Sequence, residues 1–192
     1  LIKQGCSTNR GEELQDSRLR HWLADCPMMK GWKDCIQTLL DADFTIAIIS
    51  GGMQHTAKQI AAAFPSGEPW AKSWGCVDRN TAREYMDGQS SKLLVFSNGW
   101  LVNSDGSIPE VGRFNVQMHG KGTVVKILQR RLGIPLEQTV AVGDSSGDIS
   151  MFKQSGFSIN FNPWDERPKA HADLVIEEKD LRLVKEAILR TI

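Results

Sequence analysis

Paired carboxylates, a lysine at a helix start and a serine beside bare glycines are the reactive types that stand out in this chain. Asp41 and Asp43, in DADFT, have the D-x-D-x-T spacing in which one aspartate can act as a nucleophile and the next as its acid/base neighbour. Ser50-Gly51-Gly52 sets a hydroxyl beside backbone amides that no Cβ shields, a combination suited to an anion at a helix start. Lys121, in HGKGT, offers an ammonium group at the head of a helical pattern. Asp144 and Asp148 stand four residues apart in GDSSGD. Carboxylate oxygens are the ligands Mg²⁺ prefers, commonly one or two of them with waters and phosphate oxygens. An ammonium and a hydroxyl would neutralise and orient the other oxygens of a phosphate group.

These residues need elements to bring them together, and the apolar pattern predicts those elements. Helical periodicity runs over 12–24 and 31–40, broken at Pro27, and TIAIIS (45–50) is a β-branched run of the kind expected of a strand covered on both faces. A helix through QHTAKQIAAAF follows, then a stretch rich in Pro, Gly and Ser over 65–91, then a strand KLLVF (92–96). The turn signals SNG and NSDGS around WLV predict a hairpin or bulged loop before RFNVQ. The second half alternates regularly: helix 121–132, strand TVAVG, a helix at ISMFKQ, strand FSINF, a polar helix at ERPKAHA, strand DLVIE and a final helix at DLRLVKEAIL. Strands alternating with helices predict a parallel sheet, and in such a sheet the ligand site lies beyond the carboxyl ends of the strands. Ser50, Asp144 and Lys121 all fall at that edge.

The composition excludes several alternatives. At 192 residues the chain fits one ordinary domain, with room for a small appendage, and 23 basic side chains balance 23 acidic ones, so nothing points to nucleic acid or a membrane surface. Cys6, Cys26, Cys35 and Cys76 have neither zinc-site nor disulfide-framework spacing, which fits reduced thiols in a cytoplasm. No apolar run approaches the ~18 residues of a membrane helix.

From about residue 28 onwards the chain resembles the haloacid dehalogenase superfamily, in its phosphoserine phosphatase-like branch. TVAVGDSSGDISMFKQSGFSINFNP looks like the branch's fourth motif with the helix and strand after it, IISGG is similar to the second motif, and HGKGTVVKIL to the lysine motif, with Lys121 standing 23 residues before Asp144. FSNGWLVNSDGSIPEVGRF resembles the Asn-containing strand end and its hairpin. The resemblance implies a three-layer, Rossmann-like α/β core over 27–192 with an insertion at 65–91, and a helical-cap remnant over 1–26. It implies Mg²⁺-dependent hydrolysis of a small phosphorylated metabolite through an aspartyl-phosphate. Ser50, Gly51, Gly52 and Asn98 would bind the phosphate or substrate. Lys121 would neutralise the phosphoryl group and, with Ser50, take part in catalysis. Asp144 would ligate Mg²⁺, and Asp148 would hold a metal-bound water or Lys121. One departure is Gly147, where the branch commonly has Asn, so a side-chain donor is absent and phosphoserine is a weakened guess for the substrate.

The family's first motif ends an apolar strand, whereas DADFT follows the helical IQTLL and precedes its strand. It therefore reads as a helix-to-strand turn at the amino edge of the sheet, too far from Ser50 to share a phosphate with it. No other D-x-D follows an apolar strand, so the nucleophile and the sheet's central strand are expected upstream of Leu1, and this chain alone is expected to be inactive. The alternatives are a catalytically silent phosphate-binding or assembly domain, direct pairing of TIAIIS with TVAVG, a homodimer or partner that donates a strand, and a phosphotransferase with the same motifs. His21, His55, His119 and His171 are scattered, with His55 alone near the expected site. Trp100, on the hairpin, is a residue that could touch substrate, and the loop from Phe96 to His119 is the candidate for specificity.

Overall fold

The computed structural model describes residues 15–24, 26–64, 92–109 and 112–191. Helix α1 spans Asp16–Ala24, α2 Trp32–Asp41, strand β1 Ile46–Met53 and helix α3 Gln54–Ala62. Strands β2 (Leu93–Trp100) and β3 (Gly112–Arg113) follow, then helix α4 (Lys121–Leu132), β4 (Val140–Gly143), α5 (Ile149–Phe152), β5 (Phe157–Phe161), β6 (Leu174–Ile176) and α6 (Leu181–Thr191). The polar segment ERPKAHA forms a 3₁₀ turn, Arg167–His171, with Pro168 in its first turn. The expected insertion at 65–91 and most of the expected cap remnant lie outside the described residues.

Strand β1 runs parallel to β2, in register from Ile46 opposite Leu93 to Ser50 opposite Ser97. β4, β5 and β6 form a second parallel sheet. Trp32, Ile36 and Leu40 of α2 pack with β1, β2 and α3, while Cys35 and Leu39 on its neighbouring stripe pack with Ile159, Phe161 and Ile176 of the second sheet and Val184 and Ile188 of α6. Helix α4 does the same on the opposite side, where its Val125 joins Ala141, Met151 and Phe152, with Ile49 of β1 against them. Two helices thus bridge two sheets, giving the three-layer α/β arrangement. Helix α2 can start where it does because Gly31, at φ 76°, turns left-handed against the start of α6, and a Cβ there would stand 2.7 Å from Arg182 Cγ. Burial pushes the Cys35 thiol up to about 11, and it and Cys26 are free thiols.

Among the described residues no strand pairs with the second edge of β1 or of β4. Both are nearly all-apolar strands, yet Ile46, Ala47, Ile48 and Ile49 are only half-buried, as are Val140 and Val142, whereas Leu93 of β2 and Ile159 of β5 are fully enclosed. The two sheets are joined by side chains and bridging helices rather than by a hydrogen-bonded ladder, so direct pairing of TIAIIS with TVAVG does not occur.

DADFT is the helix-to-strand turn that its position suggests. Asp41 ends α2, the turn follows at Ala42 and Asp43, and Asp43 adopts φ 69° and pairs with Lys92 at the amino ends of β1 and β2. The hairpin also forms, with Gly99 and Trp100 opposite Arg113 and Gly112. SNG, however, is not a turn. β2 continues through it to Trp100, because Asn98 and Gly99 find backbone partners on both sides. Gln15, just before α1, bridges to Ser107 in the same hairpin.

Helix α4 meets α5 through Gly122, whose N–H donates to Ser150 Oγ at 3.1 Å. A Cβ at Gly122 would run into the Ser150 carbonyl oxygen. Gly122→Ala should therefore destabilise the protein by about 1–3 kcal/mol through overpacking, read as a lower urea midpoint. An unchanged midpoint would mean that α4 can slide freely along α5.

Candidate active site

The carboxyl end of β1 carries a bulge. Register with β2 breaks between Ser50 and Met53, so Gly51 and Gly52 are extra residues that lift the chain out of the ladder before α3 begins. Ser50 Oγ accepts the Gly52 N–H at 3.1 Å, which engages that amide and leaves the hydroxyl proton for another acceptor.

Asn98 holds this bulge in place. Its Nδ2 donates to the carbonyls of Gly51 and Val116, each at 2.9 Å, and its Oδ1 accepts the N–H groups of Asn115 at 2.7 Å and Val116 at 2.8 Å. All four of its hydrogen-bonding positions are engaged, so Asn98 clamps the end of β1 to the 114–117 loop and has no free position for a ligand. That loop leads through a 3₁₀ turn, Met118–Gly120, directly into Lys121 at the start of α4.

Lys121 Nζ donates to Asp148 Oδ1 at 2.5 Å, both side chains being largely buried. The other carboxylate oxygen of Asp148 accepts the Asp144 N–H at 3.0 Å, the Ser145 N–H at 3.0 Å and Ser145 Oγ at 3.1 Å. Gly143 makes room for this, since a Cβ there would overlap the Asp148 side chain. Burial alone would raise the Asp148 pKa, but the hydrogen bond and charge of Lys121 and the two amides outweigh it and hold the group below the usual carboxylate range. Asp144 moves the opposite way. It is exposed at the strand end, yet partial desolvation, followed by the charge of Asp148, lifts its pKa, and Lys121 offsets this only in part.

The loop after β4 is braced from the far side. Asn160 Nδ2 donates to the Gly143 carbonyl at 3.1 Å, Trp164 N–H to the Asp144 carbonyl at 2.7 Å, and Ser146 N–H to Asp165 Oδ2 at 3.1 Å. Sequence reasoning missed these braces, since nothing in the spacing of NFNPWD marks them. It also missed Met118, which lies against both Gly51 and Gly147. Trp100 is buried in the hairpin rather than open to a ligand, and His55 is buried on α3.

Opposite shifts of two neighbouring aspartates give opposite mutational effects. Asp148, with its folded pKa depressed, contributes stability that is present above its unfolded pKa and lost as pH falls through the folded value. At pH 7, Asp148→Asn should cost about 3 kcal/mol by leaving the Lys121 charge largely buried and unpaired, and the deficit should shrink below about pH 4. Asp144→Asn should instead raise stability at pH 7, since it removes a carboxylate whose charged form the fold disfavours. Chemical denaturation of both variants across pH checks the pair of signs.

Comparison with known proteins fits this geometry. Residues 78–188 match the model of the haloacid dehalogenase-like hydrolase family. A phosphoserine phosphatase of Wolinella succinogenes is 30% identical over 185 residues, 94% of this chain and 74% of that protein. A phosphoglycolate phosphatase of Archaeoglobus fulgidus is 34% identical over 124 residues, 62% of this chain and 50% of that protein. A substrate-bound phosphoserine phosphatase complex superposes with a TM-score of 0.69 at 25% identity, covering 92% of this chain and 71% of that one. The chain therefore spans between half and three quarters of the length of these relatives. It belongs to the haloacid dehalogenase-like hydrolases, on their phosphoserine phosphatase-like side, a family branch of phosphatases.

Proposed function

We propose that this chain carries the phosphate- and metal-binding half of a Mg²⁺-dependent phosphomonoester phosphatase, acting on a small phosphorylated metabolite through an aspartyl-phosphate. The observation that carries the reading is the Lys121 ammonium, held by Asp148 beside Asp144 at the carboxyl edge of the strands. Lys121 would neutralise the transferring phosphoryl group, with the Ser50 hydroxyl as a donor and the Gly51–Gly52 bulge keeping side chains out of the way. Asp148 acts through Lys121 as a positioning residue, because its oxygens are already engaged.

Asp144 fits Mg²⁺ as one hard oxygen ligand, its charge disfavoured by burial and by Asp148. The described residues hold no cluster of three or more ligating side chains, so the other ligands would be substrate oxygens, water and residues outside the described set. Bound there, Mg²⁺ would supply charge neutralisation to the phosphate oxygens.

The nucleophile belongs in the gap between β1 and β4. A parallel strand inserted there would satisfy both unpaired edges and end between Ser50 and Asp144, where its terminal carboxylates would face the phosphate. That strand would come from a further segment of the polypeptide or from a strand-donating partner, including a second copy. Helix α1, tied at Gln15 to the hairpin on the ligand side, fits the tail of a cap. No described helix is long and apolar enough to cross a membrane, and a cytoplasmic setting suits free thiols and a small phosphorylated substrate.

Phosphorus NMR titration of the 192-residue chain with inorganic phosphate in Mg²⁺ tests the reading. Phosphate should bind, and Lys121→Ala and Ser50→Ala should each weaken it, the former about ten- to hundredfold, the worth of a charge-assisted hydrogen bond. The same chain should release no phosphate from phosphoserine. Turnover abolished by Asp144→Ala would overturn the placement of the nucleophile, and absence of phosphate binding would overturn the site itself.

A further inference from the structure

Asn98 and Gly99 form the only Asn-Gly pair in the sequence. Asn before Gly is the pair most prone to spontaneous deamidation, because a residue without a Cβ leaves its backbone nitrogen unhindered. Here the Gly99 nitrogen would attack Asn98 Cγ. A C–N bond forms, the Cγ–Nδ2 bond breaks, and the amide nitrogen leaves as ammonia with the proton of the Gly99 N–H. Solvent water then opens the five-membered imide at either carbonyl, leaving aspartate or an isoaspartate linked through its side chain.

The fold opposes ring closure. Asn98 Nδ2 is held by the carbonyls of Gly51 and Val116, and its Oδ1 by the amides of Asn115 and Val116. Asn98 also pairs with Met53 of β1, and Gly99 with Arg113 of β3, so both residues stay in strand conformation. An extended backbone turns the Gly99 nitrogen away from Asn98 Cγ. The imide can therefore form only after four side-chain hydrogen bonds break and this end of β2 leaves the ladder. The weak side is β3, two residues long, whose pairs Gly99–Arg113 and Trp100–Gly112 are the whole of its ladder among the described residues. Once formed, an aspartate at 98 would set carboxylate oxygens against the Gly51 and Val116 carbonyls, which lose their donor at the bulge that presents Ser50.

We propose that Asn98 is a deamidation site kept closed by its own hydrogen bonds, and that phosphate bound beside Gly51 protects it. The second part rests on the phosphate site proposed above: a ligand that needs the Ser50–Gly52 bulge binds the clamped form and makes the opening rarer.

Peptide mapping by mass spectrometry, on the 192-residue chain aged in warm, mildly alkaline buffer, tests both parts. Aspartate and isoaspartate should accumulate at position 98 of the native chain at least about tenfold more slowly than in the urea-unfolded chain, a floor for an opening that breaks four hydrogen bonds. Phosphate in Mg²⁺, at about ten times its dissociation constant, should slow the native rate about tenfold again and give the unfolded chain no protection. Lys121→Ala, with its weaker phosphate binding, should lose that protection at the same concentration. Asn98→Asp, which reproduces one product, should bind phosphate about tenfold less tightly. A native rate equal to the unfolded one would overturn the clamp, and conversion confined to the unfolded chain would remove the site. Phosphate that binds by NMR yet leaves the native rate unchanged, or an Asn98→Asp variant with full affinity, would break the link to the bulge. Phosphate that fails to bind would overturn the site proposed above and leave the comparison of native and unfolded rates standing.

Discussion

A single buried carboxylate sets the geometry of this site. Asp148, 2% exposed, accepts hydrogen bonds from the Lys121 ammonium, two backbone amides and the Ser145 hydroxyl. An ionised group so far from water is stable only when its oxygens are satisfied, and here each donor comes from a part of the chain that must be placed. Lys121 fixes the start of α4, and the Asp144 and Ser145 amides fix the turn that leaves β4. Two glycines are the steric condition for this arrangement: Gly143 admits the carboxylate, and Gly122 lets α4 come close enough to α5 for Lys121 to reach. The same pairing leaves Asp144 beside an anion that already has its cation. Partial desolvation first, and that anion second, raise its pKa, and a divalent cation bound to it would offset both.

The second constraint is the division of the sheet. Helices α2 and α4 each touch both halves, so the halves are held in register by packing, while the polar backbone edges of β1 and β4 find no strand among the described residues. An unpaired backbone group shut away from water costs about 1–3 kcal/mol, and half-burial along both strands keeps those groups within reach of solvent. Asn98 matters in this setting because it supplies, through one side chain, cross-links that a ladder would otherwise provide at the end of β1.

Much of this was legible in the sequence, for identifiable reasons. Strong local signals survived: the TVAVG strand, the helix starting at Lys121 and Ser50 with the two glycines after it all lie where hydrophobic period and chain breaks put them. SNG misled because Asn and Gly favour turns locally, yet here a neighbouring loop and strand β3 supply hydrogen bonds that hold Asn98 and Gly99 extended. Asn98 was legible as a residue at the ligand edge but not as a clamp, because its partners at 115 and 116 leave no mark in composition or spacing. Met118 was invisible for the same reason. Its contact with Gly147 spans segments that meet only in three dimensions.

Aspartates at opposite ends of the strands show why position rather than residue type carries the chemistry. Asp43 and Asp144 flank β1 and β4, and each belongs to a short turn. At the amino edge the turn needs a residue that tolerates φ 69°, and the carboxylate of the exposed Asp43 meets Lys92, an arrangement that closes the turn. At the carboxyl edge the parallel strands all end together and helix starts converge, so positive partial charge from α4 and the Ser146–Asp148 turn accumulates on one side. The Lys121 ammonium lies at that edge too, whereas at the other Asp43 and Lys92 pair with each other. The D-x-D-x-T spacing of residues 41–45 therefore has the form of a catalytic motif without its electrostatic surroundings, while Ser50, Lys121 and Asp144, far apart in the chain, have the surroundings in common.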